Sequence, residues 1–137
     1  MWKSVLLGAV VWLAACGGST EPKTSVYGTY TLRTINGLQL PQNIYADASA
    51  SLAIASGTLT LSSNNTYSLV EQEHIIVAGA PSEDVYNETG TFTQSGTDLQ
   101  LTSVTGGTIQ HQMIWNGNQI TWTDVFINTT SKYVFTR

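Results

Sequence analysis

His74 and His111 are the only two imidazoles of the chain, and Glu71 and Glu73 stand next to the first of them. From such residues a general base or a metal ligand is built. A nucleophilic triad needs a Ser or Cys, a His base and an orienting carboxylate. Neither histidine lies in a His-Glu-x-x-His context, and no Gly-x-Ser-x-Gly occurs. On an extended strand, Glu71 and Glu73 share one face and His74 takes the other. The three therefore do not converge on one metal ion, and the carboxylates read as a solvated strand face. No glycine-rich loop leads into a helix, so a phosphate cradle is not expected. These residues point to a protein that is not an enzyme and needs no cofactor or metal.

Binding chemistry is better represented. By strand alternation His111 falls on the same face as Ile109, Met113 and Trp115. An inward His111 serves either as a polar anchor for a ligand headgroup in a mostly apolar pocket or as a hydrogen-bonded core histidine. A bulge would turn it outward instead. Trp115 and Trp122 flank Asn116-Gly117-Asn118 and either stack on a ligand or fill the core.

The elements that must carry these side chains are strands. Thr, Val, Ile, Tyr, Phe and Trp recur in short alternating runs separated by Asn, Gly and Ser. The pattern predicts strands over 26–35, 51–61, 66–77, 86–94, 98–104, 108–115, 119–125 and 132–136. Asn36-Gly37, Ser63-Asn64-Asn65, Ser95-Gly96-Thr97 and Asn116-Gly117-Asn118 are short enough to force antiparallel neighbours. An all-β, up-and-down, eight-stranded barrel satisfies this best, because closure removes exposed edges. The predicted inner face is Tyr30, Leu32, Leu59, Leu61, Tyr67, Leu69, Phe92, Leu99, Leu101, Ile109, Met113, Trp115, Ile120, Trp122, Tyr133 and Phe135. Glycines inside strands, as at Gly57 and Gly90, mark bulges or bends that a small barrel needs to turn its corners. The segment 38–55 fits least well and reads as an extended arm followed by a turn of helix or a lid.

Charge narrows the partners. Charged residues make up 10% of the chain and its net charge is −4. Such an acidic, Lys-poor chain does not present a nucleic-acid footprint or a polybasic membrane patch. The N-terminus has a Lys3 start, an apolar run from Val5 to Ala15, and then Cys16. That run is too short to span a bilayer and has the form of a secretory leader. Loss of Lys3 with the leader takes the net charge from −4 to −5. Cys16 is the single cysteine, which excludes an internal disulfide.

Leu13-Ala14-Ala15-Cys16 resembles the lipobox of bacterial lipoproteins. The resemblance implies a leader over 1–15, acyl chains (palmitate among them) on Cys16, and a tether over 16–24. It further implies a lipid-anchored place in the cell envelope, with Gly17 after the cysteine favouring the outer membrane. Several acyl chains anchor stably where one does not. Gly28-Thr29-Tyr30-Thr31-Leu32, Ile35-Asn36-Gly37, Leu40-Pro41, Gly90-Thr91-Phe92 and Tyr133-Val134-Phe135 are similar to lipocalin-like domains of such lipoproteins. Here Tyr30 stands where lipocalins proper carry Trp. The resemblance covers 25–137 and implies an eight-stranded barrel able to hold a small apolar molecule. The expected lining is Tyr30, Tyr67, Phe92, His111, Met113 and Trp122. The alternative is a solidly packed barrel that binds or inhibits another envelope protein.

Overall fold

The structure is a computed structural model that describes residues 25–105 and 108–137. The leader and the lipidated tether expected over 1–24 lie outside the described residues. Ten strands follow one another: β1 Gly28–Ile35, β2 Leu38–Gln39, β3 Gln42–Ala46, β4 Ala50–Leu61, β5 Thr66–Val77, β6 Ala80–Ser95, β7 Asp98–Ser103, β8 Gln110–Asn116, β9 Gln119–Phe126 and β10 Thr129–Thr136. No helix occurs among the described residues.

Every pairing is antiparallel, and neighbours run in the order β2-β1-β10-β9-β8-β7-β6-β5-β4-β3. β1 also pairs with β4, through Gly28↔Leu61 to Thr31↔Thr58, and so closes eight of the strands into a barrel. The short β2 and β3 hold the outer ends of β1 and β4 where those two diverge. The segment expected as an arm and a helical turn or lid is thus two short strands followed by the start of β4. Its Ile44 is buried in the core, so tertiary packing outweighs the weak helical tendency of its alanines.

Three bulges interrupt the strands and keep apolar side chains pointing inward. β1 shifts register between Leu32 and Thr34, β3 between Asn43 and Tyr45, and β4 between Ile54 and Ser56. An extra residue in one strand reverses the alternation beyond it. Ile35 and Ile54 therefore stay on the inner face and are 0% and 1% exposed. Two glycines inside strands sit where neighbours come close. A Cβ at Gly57 would lie 3.0 Å from Leu32 Cδ2, across the β1–β4 seam. One at Gly90 would lie 2.0 Å from the Thr102 carbonyl oxygen and 2.7 Å from the Tyr67 ring.

The hairpin turns place residues in the left-handed region. Asn36-Gly37 has φ of 54° and 78°, as a two-residue turn matching strand twist requires. Ala78-Gly79 does the same at 49° and 79°, and makes β5–β6 a hairpin longer than expected. Ile127-Asn128 follows with 43° and 64°. A β-branched residue in that region is strained, and Ile127 sits at the open end of the barrel.

The core is the inner face of all eight barrel strands. Fourteen of the sixteen inward residues expected from alternation are in it. Trp115 packs against it partly buried, and Ile109 is 44% exposed at the rim. One end of the barrel is sealed. Tyr30 donates its hydroxyl to the Val26 carbonyl at 2.7 Å, and the Arg137 guanidinium lies 5.3 Å over the Tyr30 ring. Arg137 also donates to the carbonyls of Ser25, Tyr27 and Gly117.

Candidate functional site: the open mouth of the barrel

The opposite end is a recess of about 430 Å³. Its apolar lining is Ile44 of β3, Leu52 of β4, Ile109, and Trp122 and Phe126 of β9. The polar lining is Glu71 and Glu73 of β5, Tyr86 of β6, His111 of β8, Asp124 of β9 and Tyr133 of β10. Strand alternation explains this set. Trp122, Asp124 and Phe126 are successive inward positions of one strand, and so are Glu71 and Glu73 of another.

Beneath the recess lies a buried polar cluster. The Glu88 carboxylate is 1% exposed. It accepts from Tyr67 Oη at 2.5 Å and from Tyr86 Oη at 2.6 Å. His111 Nε2 stands 2.9 Å from Oε1 and 3.2 Å from Oε2. An ionised carboxylate only accepts, so Nε2 carries the proton in this arrangement. Burial by itself would raise the Glu88 pKa, but the bonds from Tyr67, Tyr86 and His111 outweigh it and hold the carboxyl below its usual range. The Tyr67 and Tyr86 hydroxyls move the other way, raised by burial and by the carboxylate they serve. Gly90 is what lets the Tyr67 ring reach Glu88, because a side chain there would occupy the ring's place.

Aromatic rings continue from this cluster to the rim. The rings of Trp122 and His111 meet edge-on at 4.8 Å, and Trp122 stacks on Tyr133 at 4.8 Å with 27° between planes. Tyr45 meets Phe126 edge-on at 6.2 Å.

Glu71 is different from Glu88. It is 6% exposed, yet its Oε1 makes no hydrogen bond. Burial, and then the negative charge of Glu73, Asp124 and Glu88, pushes its carboxyl up to about 8. The Tyr133 hydroxyl is raised by burial and by Glu71, Asp124 and Glu73. Among the described residues lining the recess none is Lys or Arg, so the mouth has a negative field with no fixed positive side chain. Glu71 was expected on a solvated strand face. The structure corrects that reading, because β6 and β9 cover the strand at this point and bring Glu88 and Asp124 to the same side.

The six residues expected to line a pocket separate by depth. Tyr30, Phe92 and Met113 are buried in the filled core, and Tyr67 is committed to Glu88. His111 and Trp122 line the recess. Glu71, Tyr86, Asp124 and Tyr133 join them there. Asp124, two residues beyond Trp122, had a legible signal in the alternation. Tyr86 and Glu88 carry the same signal, leading back from Phe92 by steps of two. The recess could orient a ligand and transfer a proton at Glu71. It presents no Ser, Thr or Cys nucleophile among its lining residues.

No known family model and no curated protein sequence matches the chain.

Proposed function

We propose that the protein is a lipid-anchored envelope lipoprotein whose barrel holds a small, partly apolar molecule in its open mouth. The observation that carries this reading is the contrast between a filled barrel interior and a recess of about 430 Å³ at its mouth, walled by Trp122, Tyr133, Phe126, Ile44 and Leu52. Ligand sites generally have this size and this mixture of apolar walls with a few placed polar groups. The acyl anchor is Cys16, and the leader before it is removed. The chain enters the barrel beside Ser25, which Arg137 binds at the sealed end.

The test has two arms. Metabolic labelling with palmitate should mark the chain and leave Cys16→Ser unmarked; label retained in the variant defeats the anchor. Native mass spectra of the Cys16→Ser protein, purified from its own host, should show a discrete adduct that organic extraction removes. A clean mass that no apolar or amphipathic ligand shifts would defeat the carrier reading and leave the protein-binding alternative.

A further inference from the structure

We propose that the molecule held in the mouth is a small primary amine, its ammonium group bound by Glu71 and its apolar part packed against Trp122 and Tyr133. This rests on the ligand-binding reading above and names the class of ligand.

The argument begins with a deficit. Glu71 is 6% exposed, lines the recess, and has an oxygen without any donor. A buried acceptor left unpaired costs on the order of 1–3 kcal/mol, more if charged. Glu88, inside the same barrel, has donors from Tyr67, Tyr86 and His111. The chain therefore solves this problem for one carboxylate and leaves it open for the one that faces the recess.

Chemistry selects what fills that gap. The groups facing Glu71 are Glu73 on its own strand, Tyr86 and Glu88 on β6, His111 on β8, Asp124 on β9 and Tyr133 on β10. β3 and β4 contribute the uncharged Ile44 and Leu52. An anion is repelled by this set. A neutral apolar ligand leaves the carboxylates unserved. An ammonium group brings three N–H donors and a positive charge, and aromatic faces at the wall attract cations as well. A quaternary ammonium has the charge without the donors, so it leaves Glu71 Oε1 unpaired. Primary amines therefore rank above quaternary ones, and both above neutral and anionic analogues.

A proton moves with the ligand. The empty site favours the protonated Glu71 carboxyl at neutral pH, and the bound ammonium favours the carboxylate. The O–H bond of Glu71 breaks as the amine docks, and its proton passes to buffer. Nothing is oxidised or reduced.

The probes are 2-phenylethylamine, its neutral analogue 2-phenylethanol and its anionic analogue 3-phenylpropanoate, titrated into the folded Cys16→Ser protein by calorimetry and Trp fluorescence. The amine should bind about tenfold or more tighter than the alcohol, as expected for a hydrogen bond to a charged partner. At pH 7 it should release close to one proton, read from titrations in two buffers of different ionisation enthalpy. Glu71→Gln should abolish that release and most of the tenfold preference of amine over alcohol. Asp124→Asn, at the half-buried rim, should weaken the amine less. Equal binding of amine and alcohol overturns the amine inference and leaves the ligand-binding reading standing. Tighter binding of the propanoate also overturns the inference. Failure of all three probes, together with a clean native mass, overturns both.

Discussion

The two ends of the barrel use the same strands to opposite purposes. At the sealed end, inward positions are Tyr30, Leu59, Leu61, Phe92, Leu99 and Phe135, each at most 3% exposed. Its few polar atoms are paired, Tyr30 with the Val26 carbonyl and Arg137 with three further carbonyls. At the mouth, inward positions of β5 and β9 become Glu71, Glu73 and Asp124. There burial comes without full pairing. An unpaired buried carboxylate weakens a fold, so the sealed end supplies the stability from which the mouth draws. Between them, the Glu88 cluster fastens β5, β6 and β8 with charge-assisted bonds.

Substitutions should separate the two ends. The largest effect falls in the sealed half: Phe135→Ala removes a fully buried ring and should cost about 3–5 kcal/mol. Phe126→Ala at the rim, where the ring is 38% exposed, should cost far less in the same urea titration. Equal losses would show that the mouth is as tightly packed as the core.

Gly90→Ala comes next. The new methyl would meet the Thr102 carbonyl and the Tyr67 ring, and overpacking of this kind costs about 1–3 kcal/mol or more. It should also displace Tyr67 from Glu88, seen as a change in the near-ultraviolet tyrosine signal. A normal midpoint would mean that β6 and β7 can part without loss.

The smallest effect is a slope with pH. Glu71 is raised by burial and its acidic neighbours from 4.5 to about 8. The folded chain thus holds a proton that the unfolded chain has released. Stability from this group is complete below about 4.5, falls as pH rises through the window up to about 8, and is level above it. Glu71→Gln should remove that fall. The variant should match the parent near pH 4 and exceed it above pH 8 in thermal melts. A gap that does not change with pH would show that Glu71 ionises normally in the folded protein.

Much of the barrel was readable from alternation, because a strand with one face buried must repeat every two residues. Tyr30, Leu59, Leu99, Ile120 and Phe135 follow that rule and are all 0% exposed. Bulges break the rule locally, which is why Ile35 and Ile54 escaped it. The segment 38–55 was misread in part because its short strands exist only through pairing with β1 and β4. Of the site, Ile109, His111, Trp122 and Tyr133 were legible as inward residues. Glu71 was not, since a carboxylate on a strand gives no sign of which strands will cover it.

Period-two patterning, the Asn-Gly turns and the scarcity of charge determined an antiparallel barrel, because each acts over a few neighbouring residues. The division of that barrel into a sealed end and an acidic mouth was decided only by closure. Glu71, Glu88, His111, Asp124 and Tyr133 come from five different strands. Their mutual distances, and so the field that shifts Glu71, exist only once β1 has met β4.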